Sequence, residues 1–386
     1  MKVLITTGIF PPDIGGPATY VTQVAKGLTE RGHDVTVFTL SDHASASPPN
    51  PTSKAQYPFR VASIPRQTFK PWRSLRTVAA LIRLGADADA LFVNGLALEA
   101  VLANLLLRVP MVLKVVGDLA WERATNCGWV KDGFEDFQKK RYGPELEALK
   151  ALRAWWTRRA DRVIVPSRYL ARWVCEWGVP EKKIVVIYNA VEPFNGIHPT
   201  EVSLRMPFKV VTVGRLVPWK HVDDILEAVS RVRGAGLVVI GDGPECANLE
   251  KQGRSLGITE RIYFAGAKSR EETLALMAGC DLFVLNSSYE GFPHVVLEAM
   301  SIGLPVIAKH SGGTPEVVED KRNGRLIEPM NGGQLTEAIL DLLTTPDHRR
   351  HLAEAARRTT AQFTLNRMVH ETEETLEALT RGKVSS

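Results

Sequence analysis

The sequence is expected to fold as an α/β protein built from two parallel-sheet domains in series. Three observations lead there. Short apolar strand-like runs alternate with stretches of helical periodicity along most of the chain, the pattern of parallel sheets with helical crossovers. That pattern stops and restarts across residues 189–207, where Pro, Asn and Gly are frequent. The length of 386 residues also allows two or three domains at roughly 150 residues each.

The elements follow in order. Lys2-Val3-Leu4-Ile5-Thr6-Thr7 has strand composition, and Pro11-Pro12-Asp13-Ile14-Gly15-Gly16-Pro17 is a loop. Tyr20, Val21, Val24, Ala25 and Leu28 recur at helical spacing before Gly32-His33 ends the helix. Residues 35–40 form the next strand, completing a βαβ unit. Residues 43–58 are rich in Ser, Pro and Ala and read as a mobile loop. A helix at 75–84 precedes a strand at 90–93, and an apolar helix at 97–107 precedes a strand at 111–116. A long basic helical region at about 135–160 leads to a strand at 162–165, and a helix at 168–177 leads to a strand at 184–187. After Pro193 the alternation begins again. Strands are expected at 208–214, 237–241, 262–264, 282–285 and 305–308, with helices at 222–232, 246–256, 271–278 and 294–302. Each half therefore reads as a Rossmann-like sheet. Ligands of such sheets bind beyond the carboxyl ends of the strands, so the two edges are expected to face a central cleft.

Composition narrows the classes further. The chain is 45% apolar and 24% charged, enough for ordinary cores and too mixed for disorder. No stretch reaches the roughly 18 uncharged apolar residues of a membrane span; residues 96–116 are broken by Glu99, Asn104, Arg108 and Lys114. The run Val3 to Phe10 contains two threonines and ends at Pro11-Pro12, unlike a signal peptide. Cys127, Cys175, Cys246 and Cys280 form no C-x-x-C pair and are expected to be reduced core residues of a cytosolic protein. Residues 1–195 hold 26 Lys and Arg against 18 Asp and Glu, and the remainder holds 22 against 25. The +8 and −3 halves fit domains facing different partners, the first facing something anionic. They fit an ordinary solvated surface equally well.

Two segments carry the chemistry. Gly214-Arg215-Leu216-Val217-Pro218-Trp219-Lys220 leaves a strand and reaches a helix start. Arg215 offers a planar fork and Lys220 a point charge, together a clamp for a diphosphate, or else two solvated cations in a loop. Asn286 to His294 follows a buried strand and runs straight into a helix whose first N–H groups suit an anion. Glu290 and Glu298 flank that helix start, eight residues apart. Carboxylates only accept hydrogen bonds, so beside a phosphate site they suit hydroxyl groups. Val295, Val296, Leu297, Ala299 and Met300 surround Glu298 in sequence and place it at a buried or cleft position rather than on an outer helix face.

These segments resemble the family 4 retaining glycosyltransferases of the GT-B fold. The resemblance rests on Gly214-Arg215 with Lys220, Glu290-Gly291-Phe292-Pro293 with Glu298, Gly303-Leu304-Pro305-Val306, and Gly312-Gly313-Thr314-Pro315-Glu316. Gly15-Gly16, Ser167 and Asn189-Ala190-Val191 fit as well, and it covers essentially the whole chain. It implies an acceptor-binding domain at 1–192, a donor-binding domain at 193–362, and a terminal helix at 363–386 packing back on the first domain. It implies a nucleoside-diphosphate sugar donor, a UDP- or GDP-sugar. Arg215 and Lys220 would neutralise the diphosphate with backbone N–H groups near Gly291 and Phe292. Glu298 would accept from the ribose and Glu290 from the transferred sugar. Gly214, Gly266, Pro293 and Val295 would complete the donor site, with Gly15 and Gly16 letting the first-domain loop approach the phosphate. No cofactor and no metal are implied, since side chains and a helix end meet the leaving charge. Where many members carry a histidine, this chain has Val116-Gly117-Asp118-Leu119. Asp118 either takes that catalytic place or caps a helix with Trp121 packed behind it.

The first domain holds seven of the eight tryptophans, and residues 131–172 add Lys139, Lys140, Arg141, Lys150, Arg153, Arg158, Arg159 and Arg162 around Trp155-Trp156. Cations with tryptophans suit an anionic lipid surface, which points to a lipid-linked or envelope glycan acceptor at the inner face of the cell membrane. The other reading makes these tryptophans core residues. Nucleic acid is not expected, as no recognised module accompanies the charge. A dinucleotide oxidoreductase is disfavoured because Gly241-Asp242-Gly243-Pro244-Glu245 lacks the third glycine of its fingerprint. A nucleotide-sugar epimerase and a catalytically silent binding subunit on the same fold remain as alternatives.

Overall fold

The computed structural model describes residues 1–13, 15–42, 57–192, 196–328 and 332–384. The expected loop at 43–58 lies, apart from its last two residues, outside the described residues. The chain divides into two compact units, one formed by Met1–Ala120, Tyr142–Asn189 and Leu365–Ser386, the other by Trp121–Arg141 and Ala190–Thr364.

The first unit is a seven-stranded sheet. Its strands are β1 (Lys2–Thr6), β2 (Asp34–Ser41), β3 (Arg60–Pro65), β4 (Ala90–Val93), β5 (Met111–Lys114), β6 (Arg162–Val165) and β7 (Ile184–Val186). They pair in the order β3-β2-β1-β4-β5-β6-β7, all parallel, with Leu4 of β1 between Thr36 and Leu91. β4 and β5 are buried at every residue, which is why their sequences are continuous apolar runs. The crossovers are α1 (Gly16–Glu30), α2 (Lys70–Gly85), α3 (Ala97–Leu107), α6 (Pro144–Arg159) and α7 (Arg168–Glu176), the last capped by Ser167, whose hydroxyl accepts from Leu170 N–H at 3.1 Å. The final helix, α14 (Leu365–Val384), belongs to this unit and packs on α1. Gly27 makes room for it, since a Cβ there would lie 2.7 Å from Val369 Cγ2. Arg31 Nη1 and His33 Nε2 hold Glu373 of α14 at 2.8 and 2.7 Å.

The second unit has six parallel strands, β8 (Phe208–Val213), β9 (Ala235–Ile240), β10 (Ile262–Gly266), β11 (Leu282–Leu285), β12 (Val306–Lys309) and β13 (Arg325–Ile327), in the order β10-β9-β8-β11-β12-β13. Its helices are α8 (Val222–Arg231), α9 (Cys246–Ser255), α10 (Arg270–Ala278), α11 (His294–Ser301), α12 (Gly332–Thr344) and α13 (Pro346–Thr360). One core layer joins Val210, Leu237, Val239 and Val284 of the sheet to Ile225 and Val229 of α8 and Ile339 and Leu342 of α12.

Several expectations need correction. The edge strands β3 and β13 and the helices α12 and α13 were not anticipated. The basic region at 135–160 is not one helix. α5 (Phe134–Lys139) and α6 are separate because Gly143-Pro144 restarts the chain, Pro144 sitting at the first position of α6. A further short helix, α4 (Leu119–Asn126), follows Asp118. Residues Trp121–Arg141 group with the second unit, although they lie inside the span 1–192. The terminal segment joins the first unit from Leu365, while Phe363 belongs to the second. None of the four cysteines is a core residue: Cys127 and Cys175 are exposed and Cys246 and Cys280 half-buried, all as free thiols. Nor do the tryptophans at 155–177 form an exposed surface, Trp155 being half-buried. Trp156, Trp173 and Trp177 are buried, as is Arg153, whose guanidinium lies 3.9 Å from the Trp177 ring centre.

Candidate active site

In the second unit, two strand exits converge. β8 ends at Val213 and is followed by Gly214, after which Arg215 is exposed, Leu216 and Val217 are buried, and a turn at Pro218–Lys220 brings the chain to α8. β9 leaves beside it through Gly241 and Gly243. A Cβ on Gly241 would sit 1.9 Å from the Gly214 carbonyl oxygen, and one on Gly243 2.2 Å from that of Leu216. Only glycine permits this approach, which lets Gly214 N–H reach Ile240 O and Leu216 N–H reach Asp242 O, both at 2.9 Å. The pair dismissed above as an incomplete dinucleotide fingerprint therefore supports the Arg215 loop. Gly266, at the end of β10, closes the row by accepting the Gly241 N–H at 2.9 Å.

β11 leads into Asn286-Ser287-Ser288-Tyr289-Glu290, then Gly291-Phe292-Pro293 and α11. Hydrogen bonds tie this segment to the Lys220 turn: Ser288 N–H donates to Trp219 O at 2.9 Å, and Asn286 Nδ2 donates to His221 O at 3.2 Å and Asp224 Oδ2 at 2.9 Å. Burial, with Lys309 nearby, pushes His221 below the ordinary histidine range. The loop after β12 fixes Glu290 from the other side, Gly313 N–H donating to Glu290 O at 2.8 Å. Gly312, at φ 58°, comes so near that a Cβ would meet the same oxygen at 2.2 Å. The consequence is a direct ion pair, Lys220 Nζ to Glu290 Oε1 at 2.5 Å, with both side chains largely buried.

Glu298 lies in α11, buried as its apolar neighbours imply. Arg270 Nε donates to its Oε1 at 2.7 Å, His294 Nε2 lies 3.5 Å from the same oxygen, and Arg270 Nη1 reaches Glu192 at 3.2 Å. The sequence marks Arg270 only as the end of a loop, Gly266 to Arg270, on which base and sugar specificity depend, and its pairing with Glu298 was missed. Arg270 stands alone beside the capping box of Ser269 and Glu272, and its partner lies 28 positions downstream. Phe292 is buried against Phe363, their ring centres 5.7 Å apart, and Val295 is half-buried in the first turn of α11. Aromatic rings brace both loops. Trp121 is buried with its ring centre 5.0 Å from those of Trp219 and Tyr289, and Phe134 stacks on Tyr289 at 4.1 Å. The residues before Lys220 and Glu290 are thus clamped by the segment Trp121–Arg141.

In the first unit, Gly15 precedes α1 at φ 154°, and Gly16 has open space where a Cβ would stand. Asp118 is fully buried. It forms an ion pair with Arg153 and accepts the Ala120 N–H at 2.9 Å, so it caps the start of α4 with Trp121 buried beyond it. One cluster among the described residues, His33, Glu373 and Glu377, has metal-compatible spacing; Glu373 is paired with Arg31 and His33, and Glu377 with Arg381.

Two parallel-sheet α/β units, one with paired cations and carboxylates at its strand ends, are the architecture of a GT-B glycosyltransferase. The chain matches the family described as Glycosyltransferase Family 4 over residues 14–193 and that described as Glycosyl transferases group 1 over residues 197–359, and it belongs to these glycosyltransferases. It is 27% identical to glycogen synthase of Mycobacterium tuberculosis, over 99% of this chain and 96% of that protein. It is 25% identical to the GDP-mannose-dependent alpha-(1-6)-phosphatidylinositol monomannoside mannosyltransferase of the same organism, over 94% of each. Among solved structures, Anabaena HepE in complex with UDP-glucose superposes with a TM-score of 0.79 at 23% identity, covering 98% of this chain and all of that one. Sucrose-phosphate synthase of Thermosynechococcus elongatus gives 0.80 at 21%, covering 99% of each.

Proposed function

We propose that this glycosyltransferase is a retaining, metal-independent enzyme that moves a sugar from a UDP- or GDP-sugar to a lipid-linked or envelope glycan at the cytoplasmic face of the membrane. The observation that carries the donor half is the Lys220–Glu290 ion pair. A diphosphate entering between Arg215 and Lys220 takes over the ammonium, and Glu290 is freed to accept from sugar hydroxyls. Glu298, held by Arg270, accepts from the ribose. As the bond from the anomeric carbon to the phosphate oxygen breaks, negative charge builds on the departing diphosphate. Arg215, Lys220 and the N-terminal turn of α11 are placed to meet it. The acceptor hydroxyl attacks from the face the diphosphate leaves, its proton passing to a diphosphate oxygen, and configuration is kept without an enzyme nucleophile. Residues 193–362 bind the donor in this reading and 1–192 the acceptor, with Gly15 and Gly16 letting the first-domain loop approach the donor phosphate. Asp118, buried against Arg153, has the geometry of an orienting group rather than a mobile base.

The acceptor assignment draws on the basic first half of the sequence and on likeness to a mannosyltransferase named for a phosphatidylinositol substrate. The test is a thermal-shift panel of UDP, GDP, ADP and CMP sugars, with and without magnesium, on wild type and Arg215→Ala. A nucleotide that binds only the folded state raises Tm by mass action. One diphosphate sugar is expected to stabilise the wild type without magnesium and to fail on the variant. Stabilisation by none, or equally of both proteins, would overturn the donor site.

A further inference from the structure

Four described residues other than glycine have a left-handed backbone: Leu96, Arg108, His221 and Lys321. Only His221 adjoins a residue that the proposed function sets on the donor, since it directly follows Lys220. Its φ and ψ are both 48°, a conformation that is unfavourable for a residue with a Cβ and free of that cost for glycine. His221 also stands at the N-cap of α8 without a side-chain capping bond, where Ser, Thr, Asp or Asn is preferred. Two local rules are thus broken at one position. Strain of this kind persists only where the surroundings impose it, and it gathers at working sites.

The exit of β11 imposes it. Lys220 ends the short turn Pro218–Lys220, and the carbonyls on either side of it are both held from that exit. Ser288 N–H donates to Trp219 O at 2.9 Å, and Asn286 Nδ2 donates to His221 O at 3.2 Å. Asn286 is 3% exposed, and its Nδ2 also donates to Asp224 Oδ2 at 2.9 Å. A carboxylate only accepts, so Asp224 decides which end of the carboxamide faces the turn. Held in this way, the Lys220 stem lies over Gly214, where a Cβ would stand 3.7 Å from Lys220 Cε, and the ammonium meets Glu290. Without the bond from Asn286, His221 is free to relax to the right-handed region, a change in φ of about 110°. That rotation re-aims the Lys220 turn relative to α8.

We infer that Asn286, oriented by Asp224, is a positioning residue for diphosphate binding: it holds His221 in the left-handed conformation that aims Lys220. This role rests on the reading that sets Lys220 on the diphosphate. It gives part of the affinity for the diphosphate to a side chain that touches neither phosphate nor sugar. Loss of Asn286 therefore weakens the hold on the diphosphate and leaves the ribose contact of Glu298 as it was. A glycine at position 221 takes the left-handed conformation without help, so it makes Lys220 less dependent on Asn286.

Titration calorimetry of the full chain with UDP, UMP, GDP and GMP gives the ratio of monophosphate Kd to diphosphate Kd. Wild type is expected to prefer one diphosphate by at least about tenfold, the size of one hydrogen bond to a charged group. In Asn286→Ala that preference should fall to about threefold or less, with the monophosphate Kd within about twofold of wild type. Asp224→Ala, at a side chain 47% exposed, should lower the preference in the same direction and serves in place of Asn286→Ala if that variant does not fold. Asn286→Ala/His221→Gly should regain at least about a factor of two in preference over Asn286→Ala. Three results would overturn the proposal: folded variants that keep the wild-type preference, an equal weakening of monophosphate and diphosphate, or no recovery with His221→Gly. A wild type that binds none of the four nucleotides, or binds monophosphate and diphosphate alike, instead overturns the donor reading on which this role rests.

Discussion

At the scale of single residues, Lys114 shows what a buried charge does to this fold. It ends β5 in the first unit, its ammonium 3.7 Å from the centre of the Tyr20 ring and 3.2 Å from Asn189 Oδ1. Burial disfavours the charged form and pushes the lysine down to about 7. The sign follows directly. Between pH 7 and the ordinary lysine range the unfolded chain binds the proton and the native chain does not, so native stability rises with pH across that window. Below pH 7 both states are protonated and the penalty is constant. Lys114→Met removes the titration, so its Tm relative to wild type should be highest at pH 6–7 and should fall by several degrees towards pH 10, at about 2–4 °C per kcal/mol. Calorimetry at four pH values checks this. A flat difference would show that Lys114 does not titrate in the window.

Elements show how the two site loops are kept together. They hang from β8 and β11, adjacent strands of one sheet, and are braced by rings from α4 and α5. Trp121→Leu removes the ring that touches three others. It should free the segment Trp121–Arg141, exposing Lys131, Lys139, Lys140 and Arg141 to trypsin while the sheets survive, and should shift Trp219 emission to the red. Limited proteolysis followed by mass mapping decides it; cleavage at the wild-type rate would show that the rings do not hold the segment. The same segment marks where sequence reasoning stops. β4 and α3 could be read at their observed residues because a fully buried strand is a continuous apolar run and its helix an unbroken periodic one. β3 shows only Ala62 and Ile64 buried at alternate positions on a sheet edge, and β13 is three residues long, too little pattern to separate from loop. Lys220 and Glu290 stood out through their neighbours in sequence. The parts played by Arg270, Gly241 and Gly312 were not legible, because they come from backbone and side chains brought near only by folding.

On the scale of the whole molecule, Arg215, Lys220, Glu290 and Glu298, which the proposed function sets on the donor, belong to the second unit. Hydrogen exchange should therefore change first and most in residues 212–222 and 286–301 when the stabilising nucleotide is added, with 1–100 little affected. Protection centred on 1–100 instead would move the nucleotide site to the first unit. The first unit itself is assembled from three stretches of chain, and its last is α14. Gly27 of α1 is filled by Val369, and Arg31 and His33 wait for Glu373. A ribosome making this protein delivers α1 more than 330 residues before the helix that covers it. The second unit's residues are all synthesised within that interval, so the first domain to be translated is the last able to finish folding. Its nascent α1 is the surface a chaperone would meet.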